Sequence, residues 1–182
     1  MNYNKEVIEK HFNLKIEKSL GYGENGNAFL TSKDSVIKIT TDLNEFIFAS
    51  QLLKNKIKNL VEIFEIATYQ DKYIIHQEKV HCNDDIISDF ICIKEIGMYE
   101  RTDLCNICLD NEMLTSHQRS MLKDVQDAIC DAKSKNTRFV DVHEFNIGIS
   151  KNGIYKLFDQ KKIYHNKEEI YKELELKVNR II

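Results

Sequence analysis

Asp141, Asn146 and Asp159 are the residues of this sequence best placed by type and spacing to do chemistry together. The run Asp141-Val142-His143-Glu144-Phe145-Asn146 sets a carboxylate five residues ahead of an amide, and Asp159 follows thirteen residues later, across a hairpin. Phosphoryl transfer needs such a set: a carboxylate beside an acceptor hydroxyl, and hard oxygen ligands for Mg2+. Lys38 ends the run Val36-Ile37-Lys38 in a strand that otherwise reads apolar. Its ammonium either snorkels out of an edge strand or reaches nucleotide phosphates, and the second use requires a carboxylate to hold it. Glu45, seven residues on, in the first turn of the next helix, stands within reach. Gly21-Tyr22-Gly23-Glu24-Asn25-Gly26 is a G-x-G-x-x-G run. Glycine lets backbone N–H groups approach phosphate oxygens closely. A strand follows it rather than a helix, which disfavours a dinucleotide-binding turn. Two uses remain, a plain glycine-rich hairpin or a hairpin that covers phosphates.

The elements that must hold these residues are legible from periodicity. Val7, Ile8, His11 and Phe12 fall at helical spacing. Short alternating runs at 14–17, 27–31 and 35–39, separated by GYGENG and SKD, predict three consecutive antiparallel strands. Thr40-Thr41-Asp42 supplies helix caps, with Glu45 three residues after Asp42 in the capping-box arrangement. The helix so opened runs to about residue 57, with Phe46, Leu53 and Ile57 on one face. Runs at 60–68 and 72–78, around Gln70-Asp71, predict two more strands. Residues 81–89 are polar, and 86–114 carry no assignable period. Residues 116–132 form a helix through Met121, Leu122, Val125, Ala128 and Ile129. Residues 137–142 are a strand end or extended loop. Ser150-Lys151-Asn152-Gly153 turns one short strand, 147–149, into another, 154–158, and 167–180 form a last charged helix.

Composition narrows the class. The chain has 182 residues, 42% hydrophobic and 30% charged, which suits one folded domain and is too apolar for disorder. A net charge of −3 argues against strong attraction to nucleic acid or to an anionic membrane. No stretch approaches 18 uncharged apolar residues, so no membrane span is expected. The start MNYNKEVIEKHF has no export signal. With five cysteines, an odd number, reduced thiols and a cytoplasmic location are expected. Cys105-x-x-Cys108 is either half of a zinc site, completed by Cys82, His81 or His117, or a buried thiol pair, the reading preferred here.

Taken in order, these residues resemble the protein-kinase-like superfamily. Leu20-Gly21-Tyr22-Gly23-Glu24-Asn25-Gly26-Asn27-Ala28 is similar to its glycine-rich loop, with Ala28 at the small apolar position over adenine. Val36-Ile37-Lys38 resembles the third-strand V-A-I-K motif, and Glu45 its partner glutamate. Gln77-Glu78-Lys79-Val80 is similar to the hinge whose main chain meets adenine. Asp141 and Asn146 match the base and metal-ligand positions of H-R-D-x-x-x-x-N, and Asp159 the aspartate of D-F-G. The likeness spans roughly residues 16–162. It departs where Phe139-Val140 replace the histidine and arginine, where Gln160-Lys161 follow Asp159, and where 23 residues remain in place of an activation loop and large helical lobe. These departures agree with one another, since the arginine serves a phosphorylated activation loop.

The resemblance implies an α+β, bilobal fold: an antiparallel sheet with one helix over about 14–80, and a reduced, mostly helical half over 81–182. It implies a compact ATP- and Mg2+-dependent kinase, similar to minimal kinases of bacteriophages and bacterial effectors, and acting in the host cytoplasm if phage-encoded. Leu20, Gly21, Gly23, Gly26, Ala28, Lys38, Glu78 and Val80 would bind ATP, with Glu45 orienting Lys38. Asn146 and Asp159 would bind the metal, and Asp141 would act on the acceptor, a serine or threonine of a protein. No prior phosphorylation in trans is expected. A pseudokinase binding module is one rival. A small-molecule kinase is another, because Asp141-Val142-His143-x-x-Asn146 also resembles the D-L-H-x-x-N of aminoglycoside and choline phosphotransferases.

Overall fold

Short apolar runs bounded by turn residues form the strands of the first half, and the turns between the runs decide which strands pair. The computed structural model describes residues 3–23, 25–95, 112–135, 137, 142–159 and 179–181. Helix α1 (Lys5–Phe12) opens on Asn4, whose side chain accepts from the Val7 N–H, and closes on Asn13 at a left-handed φ of 50°. Strands β1 (Ile16–Tyr22), β2 (Gly26–Thr31) and β3 (Ser35–Thr40) follow, then helix α2 (Leu43–Lys54), β4 (Ile63–Tyr69) and β5 (Lys72–Glu78). All five strands pair antiparallel in the order β1-β2-β3-β5-β4. Asp34 and Gln70, at left-handed φ of 54°, make the tight turns of two of the hairpins.

Register separates the two faces of this sheet. Ala28, Lys38, Ile75 and Ile66 stand opposite one another across four strands, so they share one face. Phe29, Ile37 and His76 share the other. Helix α1 covers the second face: Ile8, Phe12 and Leu14 join Ile16, Phe29, Ile37, Ile39, Ala67 and Ile74 in one core. Helix α2 lies on the lysine-bearing face, where Phe46 stacks on Tyr73 at 4.7 Å. It ends at Lys54, short of the expected 57, because Asn55 leaves the helical region. Leu53 is 40% exposed, and the buried face runs through Phe46, Ile47, Ala49, Ser50 and Leu52 instead.

The chain divides into two units, the first taking in the sheet through Lys79 apart from a short excursion, the second Lys56–Val61 and Val80–Gln160. In the second unit lie α3 (Asp84–Glu95), α4 (Ser116–Ser134), a 3-10 turn (Glu144–Asn146) and the hairpin β6 (Ile147–Ile149) and β7 (Tyr155–Leu157). Helix α3 is the element periodicity left unassigned. Asn83 caps it, accepting from the Ile86 N–H at 2.9 Å, and Ile86, Phe90 and Ile93 are buried. Thr115 and Gln118 form a reciprocal capping box on α4, and Gln118 donates to Asp89 of α3 at 3.0 Å. The expected strand start at residue 60 gives way to a loop. Its Asn59 amide donates to the Asp124 carbonyl at 2.9 Å, and the Val61 N–H to the Leu157 carbonyl at 3.0 Å. Asp124 also accepts from the Tyr155 N–H at 2.9 Å, and burial pushes its carboxyl above the usual range.

The last expected helix, 167–180, lies outside the described residues except at its end. There Asn179–Arg180 is a strand, β8, pairing parallel with β4 at Ala67 and Thr68. Helical spacing in a short segment says nothing about an open sheet edge more than a hundred residues away. β8 thus belongs to the first unit's sheet although it falls within 81–182.

Candidate functional site

Lys38 sits in the middle of β3, between Ala28 of β2 and Ile75 of β5. Strand alternation turns it toward α2, where Glu45 occupies the first turn. Lys38 Nζ and Glu45 Oε1 form an ion pair whose side chains are only 13% and 10% exposed. The expected capping box is therefore half built. Asp42 caps α2 by accepting from the Asn44 N–H at 2.8 Å, but Glu45 does not turn back to the Asp42 N–H, which donates to Thr40 Oγ1 at 3.0 Å. A bond between two charged groups is roughly twice as strong as a neutral one, and a buried ammonium needs a counter-charge. The carboxylate goes to the lysine.

The three glycines of the loop have different reasons to be glycine. Gly21 pairs with Ala28 and so shares the Lys38 face. A Cβ built on Gly21 or on Gly23 would meet no protein atom within 4 Å. A Cβ on Gly26 would run into the backbone of β3, 2.9 Å from the Thr40 Cα and closer to the Ile39 carbonyl. Gly26 is thus explained by the close approach of β2 to β3. Protein packing asks for no glycine at position 23. The Gly23 N–H donates to the Gly26 carbonyl at 2.8 Å and closes the loop. Leu20 stands at a register shift in β1, 45% exposed, and Tyr22 is 89% exposed. Across the lysine face the order is therefore glycine, alanine, lysine and isoleucine, a strip with little side-chain bulk beside a paired cation.

Glu78 ends β5. Its N–H donates to the Glu62 carbonyl at 2.8 Å, and its carboxylate accepts from the Glu62 N–H at 3.1 Å. In the second unit, Val80 packs against Gly148, where an added Cβ would lie 2.7 Å from Val80 Cγ2. His81 bridges Ile149 through two backbone bonds of 2.9 Å.

Asn146 is buried at the end of the 3-10 turn, and its N–H donates to the His143 carbonyl at 3.0 Å. His143 caps the turn, with Nδ1 accepting from the Phe145 N–H at 3.2 Å. The β6–β7 hairpin pairs Ile147 with Leu157, and one step outward the Phe158 N–H donates to the Asn146 carbonyl at 3.0 Å. Asp159 follows at a left-handed φ of 54°, so Asn146 and Asp159 stand at the open end of one hairpin. Burial pushes the Cys82 thiol up, and the Asp159 carboxylate adds to the shift. Asp141 lies outside the described residues.

The donor set at the hairpin end, an amide oxygen and a carboxylate, is of the hard kind that Mg2+ takes. For the zinc reading, Cys105 and Cys108 lie outside the described residues. Among the described residues no group of three or more His, Cys, Asp or Glu gathers as a metal site. Among the described residues, Cys82, Cys92 and Cys130 form no disulfide. No described helix is long and apolar enough to cross a membrane. No protein-family model matches the chain, and comparison with the curated proteins yields no match.

Proposed function

We propose that the chain is an ATP- and Mg2+-dependent phosphotransferase of the protein-kinase-like type, with a serine or threonine hydroxyl as acceptor. One observation carries the reading: the buried Lys38–Glu45 pair at the centre of a strip whose neighbours are Gly21 and Ala28. A buried ion pair contributes little stability beyond what an apolar pair of the same volume would give. Protein packing does not explain the open glycine at position 23 beside it. A polyphosphate ligand explains both.

In this reading Lys38, held by Glu45, binds the α- and β-phosphate oxygens, and the backbone of residues 21–23 covers them. Ala28 leaves room for the base, whose edge meets the Glu78 carbonyl and the Val80 main chain. Asn146 and Asp159 hold Mg2+, which when bound offsets the charge of the phosphates. Asp141 orients the acceptor hydroxyl and takes its proton as the acceptor oxygen bonds to the γ-phosphorus and the bond from that phosphorus to the bridging oxygen breaks.

The test is transfer of label from γ-labelled ATP with Mg2+ to a generic protein, to aminoglycosides and to choline. Asp141→Asn should lower turnover by about two to four decades while leaving ATP affinity nearly unchanged. Asp159→Asn should lower turnover and metal-dependent nucleotide binding together. A transfer rate indifferent to both substitutions contradicts the proposal.

A further inference from the structure

Thr40 joins two parts of the lysine face that sequence reading treated separately. It closes β3 and is fully buried. Its Oγ1 accepts from the Asp42 N–H at 3.0 Å, fixing the turn from which Asp42 caps α2. The same hydroxyl donates to the Asn25 carbonyl at 3.3 Å. That carbonyl also accepts from the Thr41 N–H at 2.9 Å and from Thr41 Oγ1 at 3.2 Å. Asn25 lies in the glycine loop, between Gly23 and Gly26. Gly26 stands opposite Thr40 in register, and its missing Cβ is what lets the loop come this close.

One hydroxyl thus contacts both the loop that would cover phosphates and the turn that starts the Glu45 helix. A loop anchored before ligand arrives has less freedom to lose on binding. We propose that Thr40 is a positioning residue whose hydroxyl couples the glycine-loop tip to α2, so that nucleotide binding at the loop and the placement of Glu45 on Lys38 depend on each other. The inference rests on the function proposed above, and its test separates the two.

Thr40→Val keeps shape and removes the hydroxyl, and Thr40→Ser keeps the hydroxyl. Two quantities are read: the Kd for Mg-ADP by calorimetry, and hydrogen exchange at the Thr41 and Gly23 amides without nucleotide. Losing a hydrogen bond of ordinary net strength should raise Kd about 3–10-fold in Thr40→Val and speed both amides by a similar factor. Thr40→Ser should return both to within about two-fold of wild type. The Gly23 amide is the discriminating probe, because it bonds within the loop to Gly26 and not to Thr40. A lower Tm in Thr40→Val with Kd and Gly23 exchange unchanged overturns the coupling. So does failure of Thr40→Ser to restore them. If Thr40→Val does not fold, Thr41→Val removes the exposed hydroxyl on the same carbonyl and leaves the buried turn intact. Faster Gly23 exchange there supports the coupling, and unchanged exchange refutes it. Should wild-type protein bind no Mg-ADP, the proposed function and the coupling to nucleotide both fall, while the Gly23 amide still decides whether Thr40 anchors the loop tip.

Discussion

Lowering the pH should destabilise this protein through His76. The ring is buried on the α1 face of the sheet, with Nε2 2.8 Å from Ser35 Oγ and the ring against Phe12 and Phe64. Burial, with a smaller contribution from the Lys33 charge, lowers its pKa from 6.5 to about 4. The folded state therefore favours the neutral ring, and the unfolded chain takes up the proton first as pH falls. The stabilisation is complete above pH 6.5 and disappears as pH drops from 6.5 toward 4. At 1.36 kcal/mol per pKa unit the loss is about 2 kcal/mol by pH 5 and about 3 kcal/mol by pH 4. For a domain of this size, the first of these lowers Tm by about 4–8 °C. Other groups titrate in the same range, so the quantity to measure is a difference. His76→Gln keeps a hydrogen-bonding group and cannot protonate. Urea unfolding of both proteins at pH 7, 6 and 5 should show the wild-type advantage shrinking by about 2 kcal/mol. A gap constant to within about 0.5 kcal/mol would mean that His76 titrates alike in both states, and the burial argument would be wrong.

The glycines and the ion pair give sharper contrasts. Gly26→Ala should cost about 2 kcal/mol or more in chemical unfolding, because its Cβ has no room against β3. Gly23→Ala should leave Tm near wild type and weaken Mg-ATP binding in calorimetry. Lys38→Met alone should cost about 3 kcal/mol, since it strips the counter-charge from a buried carboxylate. Adding Glu45→Leu should bring stability back to within about 1 kcal/mol of wild type without recovering nucleotide binding. Unfolding curves and calorimetry on the same samples check both halves.

Much of the lysine face was legible because its signals are local. Short apolar runs bounded by turn residues defined β2, β3 and β5, and the spacing from Lys38 to Glu45 brought a strand residue within reach of the next helix. Where sequence reading failed, a distant partner or a second apolar face intervened. Glu45 reads as a capping-box residue until a buried ammonium competes for it. In α3, Ile86, Ile87, Phe90, Ile91 and Ile93 spread over more than one face, and the period is smeared although Asn83 supplies a cap. Leu53 is apolar yet exposed, because the helix stops one residue later. β8 is two residues long and exists only through the edge of β4. The anchoring of Asn25 by Thr40 and Thr41 left no periodic trace, since it joins a loop to a helix cap fifteen residues away.

The central claim is that the Lys38 ammonium lies beside nucleotide phosphates, and an acyl-phosphate derivative of ATP tests it directly. Such a reagent transfers its acyl group to a lysine held against the bound phosphates, and peptide mapping by mass spectrometry locates the label. Lys38 should be acylated preferentially with Mg2+ present, excess ATP should suppress the label, and Gly23→Ala should lose that ATP protection. Label spread over exposed lysines, indifferent to ATP and sparing Lys38, would contradict it.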